Sequence, residues 1–409
     1  MRGSPNLAKV VQDDARDAVL GEASGSATFR NAPLDASRAP ASIVRAVRAD
    51  DIPAVGRLFQ HVFRKSSDPP SAALTDYLHR VFVAPLDRQP GGEPAITSLV
   101  HEDFRENSCG AVTGFIGITA MPFLVDGEKR RAAFAGTLMV DDRVRDPLAG
   151  ARLLRGFLAG PQDISLSETA NEVSQAMWRR LRGTVLPDYS LEWLRIFRPA
   201  AFALSSAAVR LPVLGALQAA TAPLDFACKR LMRSAPSRLD ASLGDEAIND
   251  DGLAVLLERC TAHYAVRPDW GAMDLAAMLA DARQKSRYGA MTQRAVTRGG
   301  RPIGLFIYHA RPRGIAHVLQ VAAMPGRLED VLDCLFAHAC ENGLAGLRGR
   351  TQPALLDAML LRNCWFRHRS STVIISPDQA LSQYVTSGKA FINGLAGETW
   401  SRLIGDELK

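Results

Sequence analysis

The sequence predicts an α/β chain of the α+β kind, built as two domains, each with a mixed, mostly antiparallel central sheet flanked by helices. Three observations carry this expectation. The chain has 409 residues with 47% hydrophobic and 22% charged content, too long for one ordinary domain and apolar enough for packed cores. Between residues 42 and 199 the periodicities read strand, two helices, three strands, helix, strand, helix, strand. From 246 to 378 the same plan recurs, so two units in tandem are expected.

Residues 1–41 are rich in Ala, Ser, Asp, Arg and Pro without sustained periodicity and read as a mobile arm, partly helical near Leu7 to Leu20. Regular structure begins with the alternating strand Ser42 to Val47. Asp50, Asp51 and Pro53 then mark a helix start, with Ile52, Val55, Leu58, Phe59 and Val62 as its buried face. A second helix is expected over Ala72 to Phe82. Strands follow at Ala95 to His101, Ala111 to Pro122 and Arg131 to Val140, the last two divided by a Gly127 turn. An apolar-faced helix ends near Leu158, and a short strand at Asp163 to Leu166, a helix at Asn171 to Leu181 and a strand at Ser190 to Phe197 close the unit.

A linker over 200–245 is apolar and basic. From 198 to 239, Arg198, Arg210, Lys229, Arg230, Arg233 and Arg238 stand against Asp225 alone, and Pro212 and Pro223 divide the stretch into short helices. Contact with an anionic membrane surface through 200–239 is one reading; packing between domains is the other. Helices at Leu253 to Tyr264 and Met273 to Ala282 open the second unit. Strands follow at Ala290 to Arg298, Pro302 to His309 and Ile315 to Val321, then a helix over Leu328 to Asn342, a strand near Leu347, a helix at Pro353 to Arg362 and a strand at Thr372 to Ile375. A helical tail over 379–409, with Ala390, Phe391, Leu395 and Trp400, is expected to dock on a domain rather than act.

The stretch Leu138 to Leu158, LMVDDRVRDPLAGARLLRGFL, runs an apolar strand into a basic turn and a helix. Turn amides and the free N–H groups of the helix's first turn point outward together there, and the helix dipole adds positive charge, so a phosphate-rich molecule can dock. Arg143 and Arg145 strengthen that field. The spacing resembles the acyl-CoA loop of the GNAT N-acetyltransferase superfamily, Arg/Gln-x-x-Gly-x-Gly/Ala after a strand ending in Val. Here Val140 is followed by Arg145-x-x-Leu148-x-Gly150, with Leu148 where the family has Gly. The opening IVRAVRADDIPAVGRLF resembles the family's first strand and helix, and the order of elements is the family's order.

The resemblance implies an acyl transfer from acetyl-CoA or another acyl-CoA to an amine. It implies that the loop residues Val140, Arg143, Arg145, Leu148, Ala149, Gly150 and Ala151 hold the cofactor. The family's fourth helix runs Asn-x-x-Ala-x-x-Leu-Tyr; Asn171 matches its start and is expected either to hydrogen-bond the pantetheine arm or to cap the helix. Trp178 falls on the Tyr position. Indole has no titratable proton, so Trp178 is expected to wall the channel or to fill the core. Activating the amine needs a base; Glu168, with Ser165, Ser167 and Thr169 beside it, and Asp142 or Asp141 stand at the ends of the strands that flank the expected opening. His101-Glu102-Asp103 reads as a solvated turn. The second unit lacks the loop and has Leu361 at the Tyr position, so it is expected to complete an acceptor cleft or dimerise, with Tyr308, His309 and His317 as cleft residues.

Other classes are disfavoured. Six cysteines show no Cys-x-x-Cys pair and eight histidines no H-x-x-x-H spacing, so neither a disulfide framework nor a metal site is expected. No Gly-x-Ser-x-Gly elbow or P-loop occurs. A net charge of +6 without a dense basic stripe points away from nucleic acid and towards small anionic partners such as CoA thioesters or an acidic acyl-carrier protein. The amino terminus reads as neither a secretory signal nor a membrane span, and cytoplasmic residence is the expectation. An acyltransferase taking a small-molecule or peptide amine is the leading reading. A non-catalytic acyl-CoA sensor or scaffold, and an aminoacyl transferase using charged tRNA, are its rivals.

Overall fold

In the computed structural model, residues 41–84, 94–104, 110–141, 146–208 and 240–409 are described. The expected arm, most of the linker including its membrane-contact segment, and the predicted site residues Asp142, Arg143 and Arg145 lie outside them.

The first half contributes β1 (Ser42–Ala46), α1 (Ile52–Phe59), α2 (Ala72–Phe82), β2 (Leu99–Asp103), β3 (Ala111–Val125), β4 (Glu128–Val140), α3 (Ala149–Leu158), β5 (Ile164–Ala170), α4 (Glu172–Arg180), β6 (Thr184–Leu186), α5 (Pro187–Ser190), β7 (Leu191–Ile196) and α6 (Pro199–Ala208). The second contributes β8 (Leu243–Ala247), α7 (Asp250–Thr261), β9 (Val266–Pro268), α8 (Leu275–Arg283), β10 (Ala290–Arg298), β11 (Arg301–Ala310), β12 (Ile315–Ala323), α9 (Leu328–Glu341), β13 (Gly346–Arg350), α10 (Pro353–Leu361), β14 (Trp365–His368), β15 (Ser371–Ile375) and α11 (Gln379–Thr386). The helix starts follow their capping chemistry: Pro53 stands in the first turn of α1, and the Ser71 hydroxyl accepts the Leu74 amide at 3.1 Å.

Two sheets result, ordered β1-β2-β3-β4-β5-β15-β6 and β14-β7-β13-β12-β11-β10-β8. Read from the β1 edge of one and the β8 edge of the other, they have the same plan. Each is antiparallel except for one parallel pair, β4 with β5 and β12 with β13. A parallel pair needs a crossover, and α3 and α9 supply it.

The sequence boundaries do not follow the sheets. β7, expected within the unit 42–199, pairs with β13 and β14 in the second sheet, whereas β15, expected to complete the unit 246–378, pairs with β5 and β6 in the first. The chain thus exchanges strands reciprocally through two short connectors, α5 and Arg369-Ser370. Arg350 staples both crossings: its guanidinium donates to the carbonyls of Ser190 at 3.3 Å and Ser370 at 3.0 Å, and to the Thr372 hydroxyl at 3.0 Å. One apolar core consequently runs across both sheets, from Phe123, Phe134 and Tyr189 to Leu257, Trp270, Ile307 and Phe391, and Ala41–Lys409 forms one compact unit.

Two local expectations are corrected. His101-Glu102-Asp103 is part of β2, with His101 and Asp103 buried; the polar run is one sheet strand rather than a turn. The tail is α-helical only to Thr386, with one further 3-10 turn at Gly394–Ala396. Beyond Thr386 the chain otherwise threads in irregular form between the sheets, burying Phe391, Ile392, Leu395 and Leu408.

Candidate active site

β4 and β5 pair in register only over Ala132–Phe134 with Ile164–Leu166 and then part. The divergence has a local cause. Between Phe115 and Gly117 of β3 the pairing with β4 slips by one residue, and Thr137 within that slip takes φ 54°. A bulge of this kind breaks the ladder and turns backbone groups away from it; a branched residue in the left-handed region is a strained conformation of the sort found at functional sites.

Into the opening between the strands fits a cavity of about 480 Å³, lined by Gly136 to Leu138, Val140 and Asp141 of the β4 end, Asp146, Pro147 and Gly150 at the start of α3, Ser167 and Thr169 to Asn171, and Val173, Ser174 and Met177 of α4. Of the residues expected to hold a thioester, Val140, Gly150 and Asn171 therefore line one cavity. Gly150 and Ala151 sit in the first turn of α3, whose N–H groups have no intrahelical carbonyl to meet. Ala149, the first residue of α3, is fully buried, and Leu148 is exposed and does not line the cavity. Asp146, which sequence reasoning passed over, does: its carboxylate accepts the Leu148 amide just before α3 at 3.0 Å and Arg152 at 3.1 Å, placing a negative charge near the amino terminus, where the helix dipole favours it.

Asn171 fulfils its capping expectation, with its side chain accepting the Ser174 amide at 2.9 Å while it faces the cavity. Asn171→Ala is expected to cost about 1 kcal/mol in denaturant unfolding. Asn171→Asp keeps the cap, so a loss of ligand affinity in that variant alone would isolate the cavity role. Of the two expectations for Trp178 the structure takes the core: it is 1% exposed and packs edge-on against Phe157 at 6.0 Å rather than walling the channel. Helical spacing turns Val173, Ser174 and Met177 to the cavity and Trp178 to the opposite face.

Glu168 is corrected. Alternation along β5 sends Ser167 and Thr169 into the cavity and Glu168 the other way, where it is fully buried beneath the carboxy-terminal segment. It accepts the amides of Glu398 at 2.9 Å, Thr399 at 3.2 Å and Gly394 at 3.3 Å. Burial raises its carboxyl above the usual range, against the opposing pull of Arg350 and these amides.

The carboxylate at the opening is instead Glu398. Its Oε1 accepts the Glu168 amide at 2.9 Å and the Thr169 hydroxyl at 2.7 Å. A side chain on Gly136 would collide with its Oε2, so only glycine at that point of β4 leaves room for the carboxylate. Glu398 lines a second cavity of about 320 Å³ with Gly136, Thr137, Thr169, Tyr288 and Ser401 among its walls. Burial first, and the neighbouring Glu168 second, push its carboxyl up to about 7. No local pattern in the tail announces it.

A third cavity of about 470 Å³ adjoins, and Phe63 and Thr169 line all three. The second half supplies most of its walls: His309 and His317 lie there, with Tyr288, Lys285 and Arg348, whereas Tyr308 packs in the other core and bonds His338 at 3.1 Å. His317 stacks on Tyr288 at 3.8 Å. Burial holds His309 down at about 4 and His317 at about 2, so both rings are neutral at physiological pH.

The second sheet opens in the same place, but the tail fills it. β12 and β13 pair only over Ile315–Val318 with Gly346–Gly349. Past that point Gln320 accepts the Leu395 amide at 2.8 Å and Asn393 donates to Thr351 at 2.5 Å. One segment therefore plugs the second opening with residues 393–395 and places Glu398 in the first.

No metal-holding group occurs among the described residues, and no helix among them is long and apolar enough to cross a membrane. Their cysteines, Cys260, Cys334, Cys340 and Cys364, are free.

Comparison of the fold finds solved structures with a similar path. A GCN5-related N-acetyltransferase from Anabaena variabilis ATCC 29413 matches with TM-score 0.53 and 11% identity, over 81% of this chain and 72% of that one. A conserved protein of unknown function from Enterococcus faecalis V583, described as a probable N-acyltransferase, matches with TM-score 0.51 and 10% identity, over 82% and 72%. At such identities the likeness is one of fold, and the chain has the GNAT fold. No protein-family model matches the sequence, and no curated protein matches it.

Proposed function

We propose that this chain is an acyl-CoA-dependent N-acyltransferase in which the opening between β4 and β5 takes the thioester, with acetyl-CoA or a longer acyl-CoA as donor. The observation that carries the reading is the junction of the cavities. The opening, headed by the first turn of α3, shares Gly136, Thr137 and Thr169 with the cavity that holds Glu398.

The thioester supplies an activated acyl group. The chain's own residues do the rest: α3 presents N–H groups to the phosphates, the bulge at Thr137 turns backbone towards the acyl end, and Glu398 takes the proton the amine sheds. Atoms balance simply. The amine nitrogen bonds to the acyl carbon, the carbon–sulfur bond breaks, the proton goes to Glu398, and the thiolate takes a proton from solvent. A carboxyl held near 7 suits that role, since a base works best with its pKa near the working pH.

Acetyl-CoA and longer acyl-CoAs should raise the melting temperature and release thiol when an amine panel is added. Gly150→Ala is expected to be tolerated, because its added carbon would meet Val140 and Met177 at ordinary contact distances of 3.5 and 3.6 Å. Gly150→Glu should abolish the shift by placing a negative charge at the phosphate position. An undiminished shift in that variant would remove the assignment of the site. A sensor without transferase activity is the second reading, supported by Asp146, whose carboxylate occupies part of the α3 amino terminus; binding without thiol release across the panel would establish it.

A further inference from the structure

The third cavity has a charge composition that the acyl-transfer reading does not use. Four cationic side chains, Lys285, Arg348, Arg350 and Arg369, line it against the single carboxylate of Glu192. Their local partners balance only part of this charge. Arg350 donates to backbone carbonyls at the two strand crossings and has the Glu168 carboxylate at 4.0 Å, so it is the neutralised member of the four. Arg348 has Glu192 at 3.5 Å, and Glu192 is claimed more closely by Arg367, outside the cavity, at 2.5 Å. Arg369 is exposed and forms no ion pair among the described residues. Lys285 is almost wholly buried and donates to the Thr399 carbonyl, a neutral acceptor.

From this we infer that the acceptor is an amine that also carries an anionic group, a carboxylate or a phosphate, seated against Arg348, Arg369 and Lys285. The inference rests on the acyl-transfer reading for the amine end and on the cleft alone for the anionic end. Thr169 joins the two ends, lining the cationic cavity while its hydroxyl donates to Glu398 at 2.7 Å. An amine at Glu398 can therefore belong to a molecule whose other end lies among the arginines. The excess shows at His317, where the charges of Arg348, Lys285 and Arg369 add to burial in holding the ring neutral; Lys285 is lowered to about 7 by burial, against the opposing pull of Glu168, Asp281 and Asp406. An anionic ligand supplies the missing counter-charge, and a guanidinium fork suits either oxyanion.

The test uses matched amines with the full chain and acetyl-CoA: ethanolamine against O-phosphoethanolamine, and propylamine against β-alanine. Thiol release should favour the anionic member of at least one pair by about 10- to 100-fold in kcat/KM, the worth of one charge-assisted hydrogen bond. The preferred pair identifies phosphate or carboxylate. Arg348→Gln and the surface variant Arg369→Gln should each erode that preference through KM, and Arg348→Lys should restore part of it. Equal or better use of the neutral members overturns the inference. Calorimetry of O-phosphoethanolamine and β-alanine without acyl-CoA separates the two readings. Anion binding that weakens in Arg369→Gln, with no thiol release from any amine, keeps the anion site and removes acyl transfer; absence of both binding and preference removes the anion site.

Discussion

Glu398→Gln is expected to lower kcat by about 10² to 10⁴, the usual contribution of a positioned base, while acyl-CoA binding stays within twofold of wild type. Glutamine keeps the size of the side chain and can still accept the Glu168 amide and the Thr169 hydroxyl, so the geometry survives while the proton acceptor is lost. The wild-type rate should fall on the acid side with a midpoint near 7, because the carboxyl is held there by burial and by Glu168, and the variant should lack that limb. Stability should move the other way. A carboxyl whose value rises from 4.5 to about 7 on folding binds its proton more tightly in the native state. Its contribution is therefore full below about 4.5 and is lost as the pH climbs to about 7, a change of about 3 kcal/mol. Denaturant unfolding at pH 5 and pH 8 should show the variant less sensitive than wild type over that interval and more stable than wild type at pH 8. A full rate in Glu398→Gln would eliminate Glu398 as the base.

The second large effect belongs to Glu168. Glu168→Ala is expected to lose about 3 to 5 kcal/mol, because it leaves three buried amides of residues 394, 398 and 399 without their acceptor and Arg350 without its nearest carboxylate. The loss should be local first. Amide hydrogen exchange over 390–400 should quicken before the sheets open, and Glu398 should lose its fixed position, so activity falls with the anchor. The two glutamates thus separate by measurement: Glu398→Gln impairs turnover in a stable protein, and Glu168→Ala loosens the segment that carries the base. A protein of unchanged stability after Glu168→Ala would contradict the anchoring role.

Much of the fold was legible because its signals are local. Alternation marked β1, β10, β11 and β12, helical spacing marked α1, α7 and α9, and Gly127 and the Gly299-Gly300 pair marked turns between strands. The shortest strands escaped notice: β6 and β9 have three residues each, too few for a period to register. The site was partly legible for the same reason. The end of β4 and the start of α3 are only nine residues apart in sequence, at Val140 and Ala149, so one end of the cavity follows from spacing; Glu398 reaches it from 230 residues beyond its partner in β5.

By itself the sequence determined the longer elements and their order, the mixed, mostly antiparallel character of the sheets, and that the Arg-x-x-Gly-x-Gly spacing does not recur after Val321. Tertiary structure alone decided three things: which sheet β7 and β15 join, which face of β5 the tail covers, and which glutamate stands at the opening. Period-two alternation specifies that Glu168 and Thr169 point apart, but not what lies on either side. That choice belongs to a distant segment, selected by the buried amides and apolar side chains it satisfies when the two sheets close around it.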